Sequence, residues 1–149
     1  MAVHFLDSSV FVRAYLPDEQ GHEAAAAIVF GDEPVVASEL IRVESARAVV
    51  AASRSGRLGS RLAERLLFQF ESDFSANGVV SLIAFDGPPT LARGRELVVE
   101  YALRTLDALH LAVADREGRR LASRDEQLVF VTRDAGQRQV AQALGMAAG

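Results

Sequence analysis

The chain has 149 residues, a net charge of −4 and a composition that is 50% hydrophobic. It contains no cysteine and no lysine, which excludes disulfide bonds, thiolate metal sites and enzymes that need a cysteine or lysine side chain. Contacts with phosphate must therefore come from arginine or from backbone amides. The acidic balance excludes the global basic field of a general nucleic-acid binder. We expect one domain over residues 1–149 and, because no leader peptide or membrane span is recognisable, a cytoplasmic protein.

The first half of the chain alternates strand and helix patterns. An apolar run ends at Asp7 and predicts a buried strand, and Pro17 ends the helix that follows it. Ser38 is expected to cap a long amphipathic helix. The predicted elements are a strand at residues 3–6, helices at 8–16 and 20–30, a strand at 35–37 and a helix from 38 to about 55.

The second half continues the same alternation. Pro88 and Pro89 suit a helix start, and Thr105 is expected to cap a later helix. The predicted elements are a helix at 59–74, a strand at 79–85, helices at 90–103 and 106–117, a strand at 128–132, a helix at 137–144 and a short strand at 146–148. This order predicts an α/β fold, a three-layer α/β/α sandwich around a mostly parallel sheet of four to five strands.

Two aspartates follow predicted strands. Asp7 comes directly after the first strand, and Asp134 comes two residues after the strand at 128–132. Open parallel sheets bind ligands beyond the carboxyl ends of their strands, so the two carboxylates meet if these strands are parallel neighbours. Each aspartate could instead simply cap the helix behind it, because aspartate is a favoured N-cap.

Two further acids border predicted helix faces. Glu44 lies next to the apolar face of its helix, where an acid needs a partner, although an ion pair with Arg47 at the surface would also account for it. Asp107 lies in the first turn of its helix, where the helix dipole alone favours a negative charge. Four acids gathered at one edge would repel one another, and a divalent cation such as Mg²⁺ or Mn²⁺ removes that conflict.

Four segments of the chain resemble, in order, the motifs of PIN-domain ribonucleases of the VapC-like toxin type. The third is the most specific and reads Leu-Arg-Thr-Leu-Asp-Ala-Leu-His-Leu-Ala, with Asp107 at its centre. The four segments are residues 5–10, 36–44, 103–112 and 129–134.

The resemblance implies a metal-dependent endoribonuclease, the toxin of a toxin–antitoxin pair. Its acidic centre would be Asp7, Glu44, Asp107 and Asp134 around Mg²⁺ or Mn²⁺, with Asp7 and Asp107 as the most secure ligands. Ser9 would help to hold the metal or a phosphate, and Thr105 is expected to support the centre. Arg13 and Arg104 each lie near an acid motif in the sequence and are therefore the first candidates for contact with the RNA substrate. The implied partners are RNA, a small antitoxin and a second copy of the chain in a homodimer. His110 is common in the third motif and need not bind metal.

The sequence also fits other interpretations. Asp125, in a charged loop, competes with Asp134 for the fourth acidic position. A phosphotransfer or phosphatase domain also places acids after parallel strands, but the chain lacks the lysine of the first and has Ser9 in place of the second acid of the latter. A non-catalytic PIN-like module that binds RNA or protein would keep the fold and predicts partner binding that persists in EDTA.

Overall fold

Five parallel strands form one sheet in the computed structural model, which describes residues 1–149. The strands are β1 (Ala2–Leu6), β2 (Val35–Ser38), β3 (Ser81–Ile83), β4 (Gln127–Val131) and β5 (Ala147–Ala148). Their spatial order is β3-β2-β1-β4-β5, which places β1 at the centre of the sheet. The predicted α/β/α sandwich is confirmed, with a sheet that is entirely rather than mostly parallel.

Helices connect the strands and cover both faces of the sheet. They are α1 (Ser8–Arg13), α2 (His22–Val29), α3 (Ile41–Arg54), α4 (Ser60–Asp73), α5 (Gly87–Tyr101), α6 (Thr105–Val113), α7 (Arg119–Leu121) and α8 (Ala135–Ala143). A π-helical turn, Ala114–Gly118, joins α6 to α7. None of these helices combines the length and hydrophobicity that a membrane-spanning segment requires.

The core is divided into two apolar layers by the sheet. Side chains of a strand alternate between its faces, so Leu6 packs with α1–α4 on one side while Phe5 packs with α5, α6 and α8 on the other. Phe5 stacks on Phe130 of the neighbouring strand at a centroid distance of 5.5 Å, and both rings are fully buried. This packing holds the ends of β1 and β4 side by side.

Three expectations about local structure are wrong. Ser38 does not cap α3: it is the last residue of β2, and the N-cap position of the helix, which begins at Ile41, belongs to Leu40. The strand predicted at 79–85 is only Ser81–Ile83 long, because β3 is an edge strand whose sole partner, β2, offers four residues to pair with. Thr105 does not cap α6: it is the first helical residue, the N-cap position belongs to Arg104, and no side chain makes a cap hydrogen bond there.

The chain order creates a crevice at the carboxyl edge of the sheet. From β1 the chain builds β2 and β3 on one side, then crosses over to form β4 and β5 on the other. Helix α1, which follows β1, and α8, which follows β4, therefore pack on opposite faces and diverge at the edge. A crevice at such a reversal of strand order is the usual ligand site of open α/β sheets.

Candidate active site

Asp7 lies at the floor of this crevice. It follows β1 directly, and its residue is only 6% exposed. The hydroxyl of Ser9 donates a hydrogen bond of 2.7 Å to Oδ2, and the Thr132 hydroxyl lies 3.4 Å from the same oxygen. Asp7 occupies the N-cap position of α1 but makes no side-chain cap hydrogen bond, so helix capping does not account for its carboxylate.

Asp134 reaches the crevice from the end of β4. Its Oδ1 accepts a hydrogen bond of 2.7 Å from the backbone N–H of Gln137, so this aspartate does cap α8. Its Oδ2 remains available and lies 3.6 Å from Nη2 of Arg104. Because β1 and β4 are parallel neighbours, the carboxylates of Asp7 and Asp134 share one edge of the sheet, as the strand pattern predicted.

Asp107 approaches from the first turn of α6. Nε of Arg104 donates a hydrogen bond of 2.9 Å to its Oδ2. Burial raises the pKa of Asp107 above its usual range, and the charges of Asp7 and Asp134 raise it further, although Arg104 opposes the shift. The three carboxylates therefore repel one another, and the exposed guanidinium of Arg104 pairs with two of them, Asp107 and Asp134.

Glu44 occupies the opposite wall of the crevice, on α3. Its partner is not Arg47, as the surface alternative required: Oε1 pairs with Nε2 of His110, and Oε2 accepts a hydrogen bond of 3.1 Å from Ser8. Burial alone would raise the pKa of Glu44, but the contacts with His110 and Ser8 outweigh it and lower the pKa. Glu44 is thus a carboxylate held ionised with both oxygens engaged.

His110 is fully buried in α6 and joins the two helical layers through Glu44. Burial would lower its pKa, yet the adjacent Glu44 and the charges of Asp7 and Asp107 raise it overall. No local sequence signal could reveal this pair, whose members are 66 positions apart. The one available hint was a histidine on the apolar face of α6, between Ala108 and Leu111, which are both buried.

Thr132 and Gln137, two polar residues that were not predicted from the sequence, form hydrogen bonds that support the acids. The Thr132 hydroxyl donates a hydrogen bond of 2.6 Å to Oε1 of Gln137, and both side chains are buried. Gln137 in turn donates from Nε2 to the backbone oxygen of Asp107, at 3.3 Å. This network ties the end of β4, the start of α6 and the start of α8 together. Its sequence signal was a glutamine on the apolar face of α8, three residues after Asp134.

The remaining predicted residues divide into two groups. Ser9 contacts Asp7, and Arg13 lines a groove that opens beside Ser8 and Ser9. Thr105 is exposed and makes no hydrogen bond to the acids. Asp125 precedes β4 and therefore lies at the opposite, amino-terminal edge of the sheet, away from Asp7.

The carboxylates at this edge are of the kind that binds a hard divalent cation, although they do not form a complete coordination sphere. Asp7, Asp107 and Asp134 offer carboxylate oxygens, the ligands that Mg²⁺ and Mn²⁺ prefer. As placed, no three acidic or histidine side chains are gathered closely enough to hold a metal ion by themselves. Arg104 is the one cation paired with these acids, and the charges of Asp7 and Asp134 add to the effect of burial in raising the pKa of Asp107, so a further cation would relieve the repulsion among them. The residues present therefore fit such an ion.

Comparisons with known proteins agree with this architecture. The PIN domain family model matches residues 4–142, and the chain belongs to the PIN-domain family. No curated protein matches the chain significantly.

Solved structures share the fold at low sequence identity. PAE2754 from Pyrobaculum aerophilum superposes with a TM-score of 0.65 and 21% identity, covering 99% of this chain and 83% of that one. FitAcB from Neisseria gonorrhoeae superposes with a TM-score of 0.66 and 19% identity, covering 97% of this chain and 95% of that one. VapBC2 from Rickettsia felis was solved bound to a DNA fragment from its promoter. It superposes with a TM-score of 0.62 and 12% identity, covering 99% of this chain and 97% of that one.

Proposed function

We propose that the protein is a metal-dependent endoribonuclease that hydrolyses RNA phosphodiester bonds at the crevice beyond β1 and β4. The observation that carries the proposal is the meeting of Asp7, Asp107 and Asp134 at one edge of the sheet, where the charges of Asp7 and Asp134 help to raise the pKa of Asp107 and a cation would offset them. PIN domains are generally nucleases, which agrees with this chemistry. No cysteine or lysine nucleophile is required, and the chain has neither.

Each side chain has a defined task in this proposal. Asp7, Asp107 and Asp134 would hold the ion, and Ser9 fixes the orientation of Asp7 through its hydrogen bond. A bound Mg²⁺ or Mn²⁺ supplies Lewis-acid polarisation of the phosphodiester and a lowered pKa for water. Glu44 adds a fixed negative charge at the opposite wall, kept ionised by His110 and Ser8. Thr132 and Gln137, which are both buried, position the acids through their hydrogen bonds.

Arg104 is expected to compete with the cation for the acids. Its guanidinium pairs with Asp107 and Asp134, so a divalent ion held by these acids would displace it, and the displaced Arg104 would be free to contact an RNA phosphate. We expect Arg104→Gln to tighten Mn²⁺ binding about tenfold, because a competing positive charge is removed. Titration of free Mn²⁺ by electron paramagnetic resonance measures this.

Arg133 provides the matched control for that titration. It precedes Asp134 in the chain but its guanidinium lies against Gly21, outside the crevice. Arg133→Gln should leave the Mn²⁺ affinity within about twofold of wild type. Equal Mn²⁺ affinities for Arg104→Gln and Arg133→Gln would show that Arg104 does not compete with the cation for the acids.

The activity is tested by incubating the protein with a mixed pool of tRNA and rRNA in Mg²⁺ or Mn²⁺. We expect discrete fragments, their loss in EDTA and their return when the ion is added back in excess. Cutting that persists in EDTA would overturn the metal dependence. The phosphatase alternative predicts instead a stable phosphoryl group on Asp7 after incubation with a small phosphodonor.

A non-catalytic RNA- or protein-binding module is the second candidate. It is favoured by one observation, the absence of three acidic or histidine side chains gathered for a metal ion. Such a module would bind its partner equally well after Asp7→Asn and in EDTA, with no cleavage of any RNA. The toxin role, the small antitoxin and the homodimer are further parts of the proposal, supported by the resemblance of the four motifs to VapC-like toxins.

A further inference from the structure

A groove leads away from the acidic crevice between α1 and α3, and it encloses about 440 Å³. Its inner end is formed by Ser8, Ser9 and Glu44, and its outer end by Glu19 and Arg57. This α1–α3 groove is continuous with the crevice, because Ser9 and Glu44 belong to both. A polymer whose bond is cut at the acids would therefore have this groove beside it.

The charges inside the α1–α3 groove do not cancel. Both of its acids already have cationic partners: Glu44 pairs with His110, and Glu19 pairs with Arg57 at 3.2 Å. Arg13 and Arg47 form no ion pair with any acidic side chain of the protein. Two uncompensated guanidinium groups therefore line one groove in a protein whose net charge is −4.

Arg13 is also unsatisfied in its hydrogen bonding. Its Nε is buried and has no partner within the protein. No other nitrogen of the Arg13 side chain donates a hydrogen bond within the protein either, so its guanidinium keeps its donors for a ligand oxygen. Guanidinium groups match phosphate oxygens in geometry and charge, and the chain has no lysine that could serve instead.

We propose that the α1–α3 groove binds the phosphates of the RNA strand next to the bond that is cut, through Arg13 and Arg47. The inference deepens the proposed ribonuclease function and rests on it for the identity of the polymer. The lining contains no aromatic side chain on which a base could stack, so the groove holds the backbone. Phosphate contacts position a strand without reading its sequence, and the two arginines therefore set affinity rather than sequence preference.

The test measures binding of a short fluorescent oligouridylate by anisotropy, in EDTA and over a range of salt concentrations. We expect Arg13→Gln/Arg47→Gln to weaken binding about tenfold and to reduce the slope of log affinity against log salt by about 1.4, since each lost contact with single-stranded RNA removes about 0.7. Arg13→Lys/Arg47→Lys should keep most of that slope, because the charges remain.

The matched control removes two arginines elsewhere. Arg61 and Arg65 lie exposed on α4, so Arg61→Gln/Arg65→Gln changes the net charge equally and should alter binding less than about twofold. Equal effects of the two double variants, or wild-type binding without salt dependence, would overturn the proposal. Because binding is measured in EDTA, this result is independent of whether the protein cuts RNA.

Discussion

Asp107→Asn is expected to slow RNA cleavage by about 100-fold or more while leaving the fold intact. Loss of a residue that merely supports a metal ligand typically costs 10- to 100-fold, and a direct ligand should cost at least the upper end of that range. Asparagine has nearly the same shape, and the backbone oxygen of Asp107 that accepts from Gln137 is unchanged. Initial cleavage rates in Mn²⁺, with thermal unfolding of the same samples, measure both effects.

The unfolding temperature separates loss of chemistry from loss of structure. Burial and the charges of Asp7 and Asp134 raise the pKa of Asp107, so its ionised form is disfavoured in the folded protein. A neutral asparagine should therefore leave the protein as stable as wild type or slightly more stable, as is common at functional sites. A large fall in unfolding temperature would instead mean that Asp107 has a structural role.

Asp125→Asn is the control for that variant. Asp125 is exposed and lies before β4, at the edge of the sheet away from the acids. Its substitution should leave the cleavage rate within about twofold of wild type, since surface changes away from a site have small effects. If Asp125→Asn abolished cleavage and Asp107→Asn did not, the active site would have been assigned to the wrong edge.

The main features of the fold could be predicted from local patterns. The apolar run before Asp7 and the one before Asp134 indicated strands, and the helices between parallel strands followed from the alternation along the chain. Strand neighbours then brought the two aspartates to one edge, which required only that β1 and β4 pair. The limits of β3 could not be predicted, because the length of an edge strand depends on its partner.

The connections between site residues depend on tertiary contacts. Glu44 could be identified as an acid bordering an apolar helix face, but its partner His110 comes from a helix on the other side of the sheet. Thr132 and Gln137 are only five positions apart, but Gln137 also donates to the backbone oxygen of Asp107. Together they link the end of β4 and the start of α8 to the start of α6, which their spacing could not predict. Sequence spacing predicts which residues reach an edge, whereas hydrogen-bond partners depend on how the layers dock.

His110→Ala is expected to lower the free energy of unfolding by about 2–4 kcal/mol. His110 is fully buried and Glu44 is partly exposed, so the loss should fall at or below the 3–5 kcal/mol typical of breaking a buried pair. Chemical denaturation in EDTA measures the change. His4→Ala is the control, because His4 faces Glu33 at 3.6 Å across a more exposed contact and should cost less than about 1 kcal/mol.

The same pair should give the stability a distinctive pH dependence. The pKa of His110 is raised above its ordinary 6.5, so its contribution is complete below that pH and is lost as pH rises through the folded value. The pKa of Glu44 is lowered from 4.5, so its contribution is present above that pH and is lost in acid. The pair should therefore stabilise the fold most between about pH 4.5 and 6.5.

Glu44→Gln distinguishes a charged pair from a neutral hydrogen bond. Glutamine keeps an oxygen that can accept from Nε2 of His110 but removes the negative charge that favours the protonated ring. We expect the decline in stability above pH 6.5 to become shallower in this variant, and a cycle with His110→Ala to give a coupling of at least about 1 kcal/mol. An unchanged alkaline slope in Glu44→Gln would mean that His110 does not gain its proton from this contact, and that the pair is a neutral hydrogen bond rather than an ion pair.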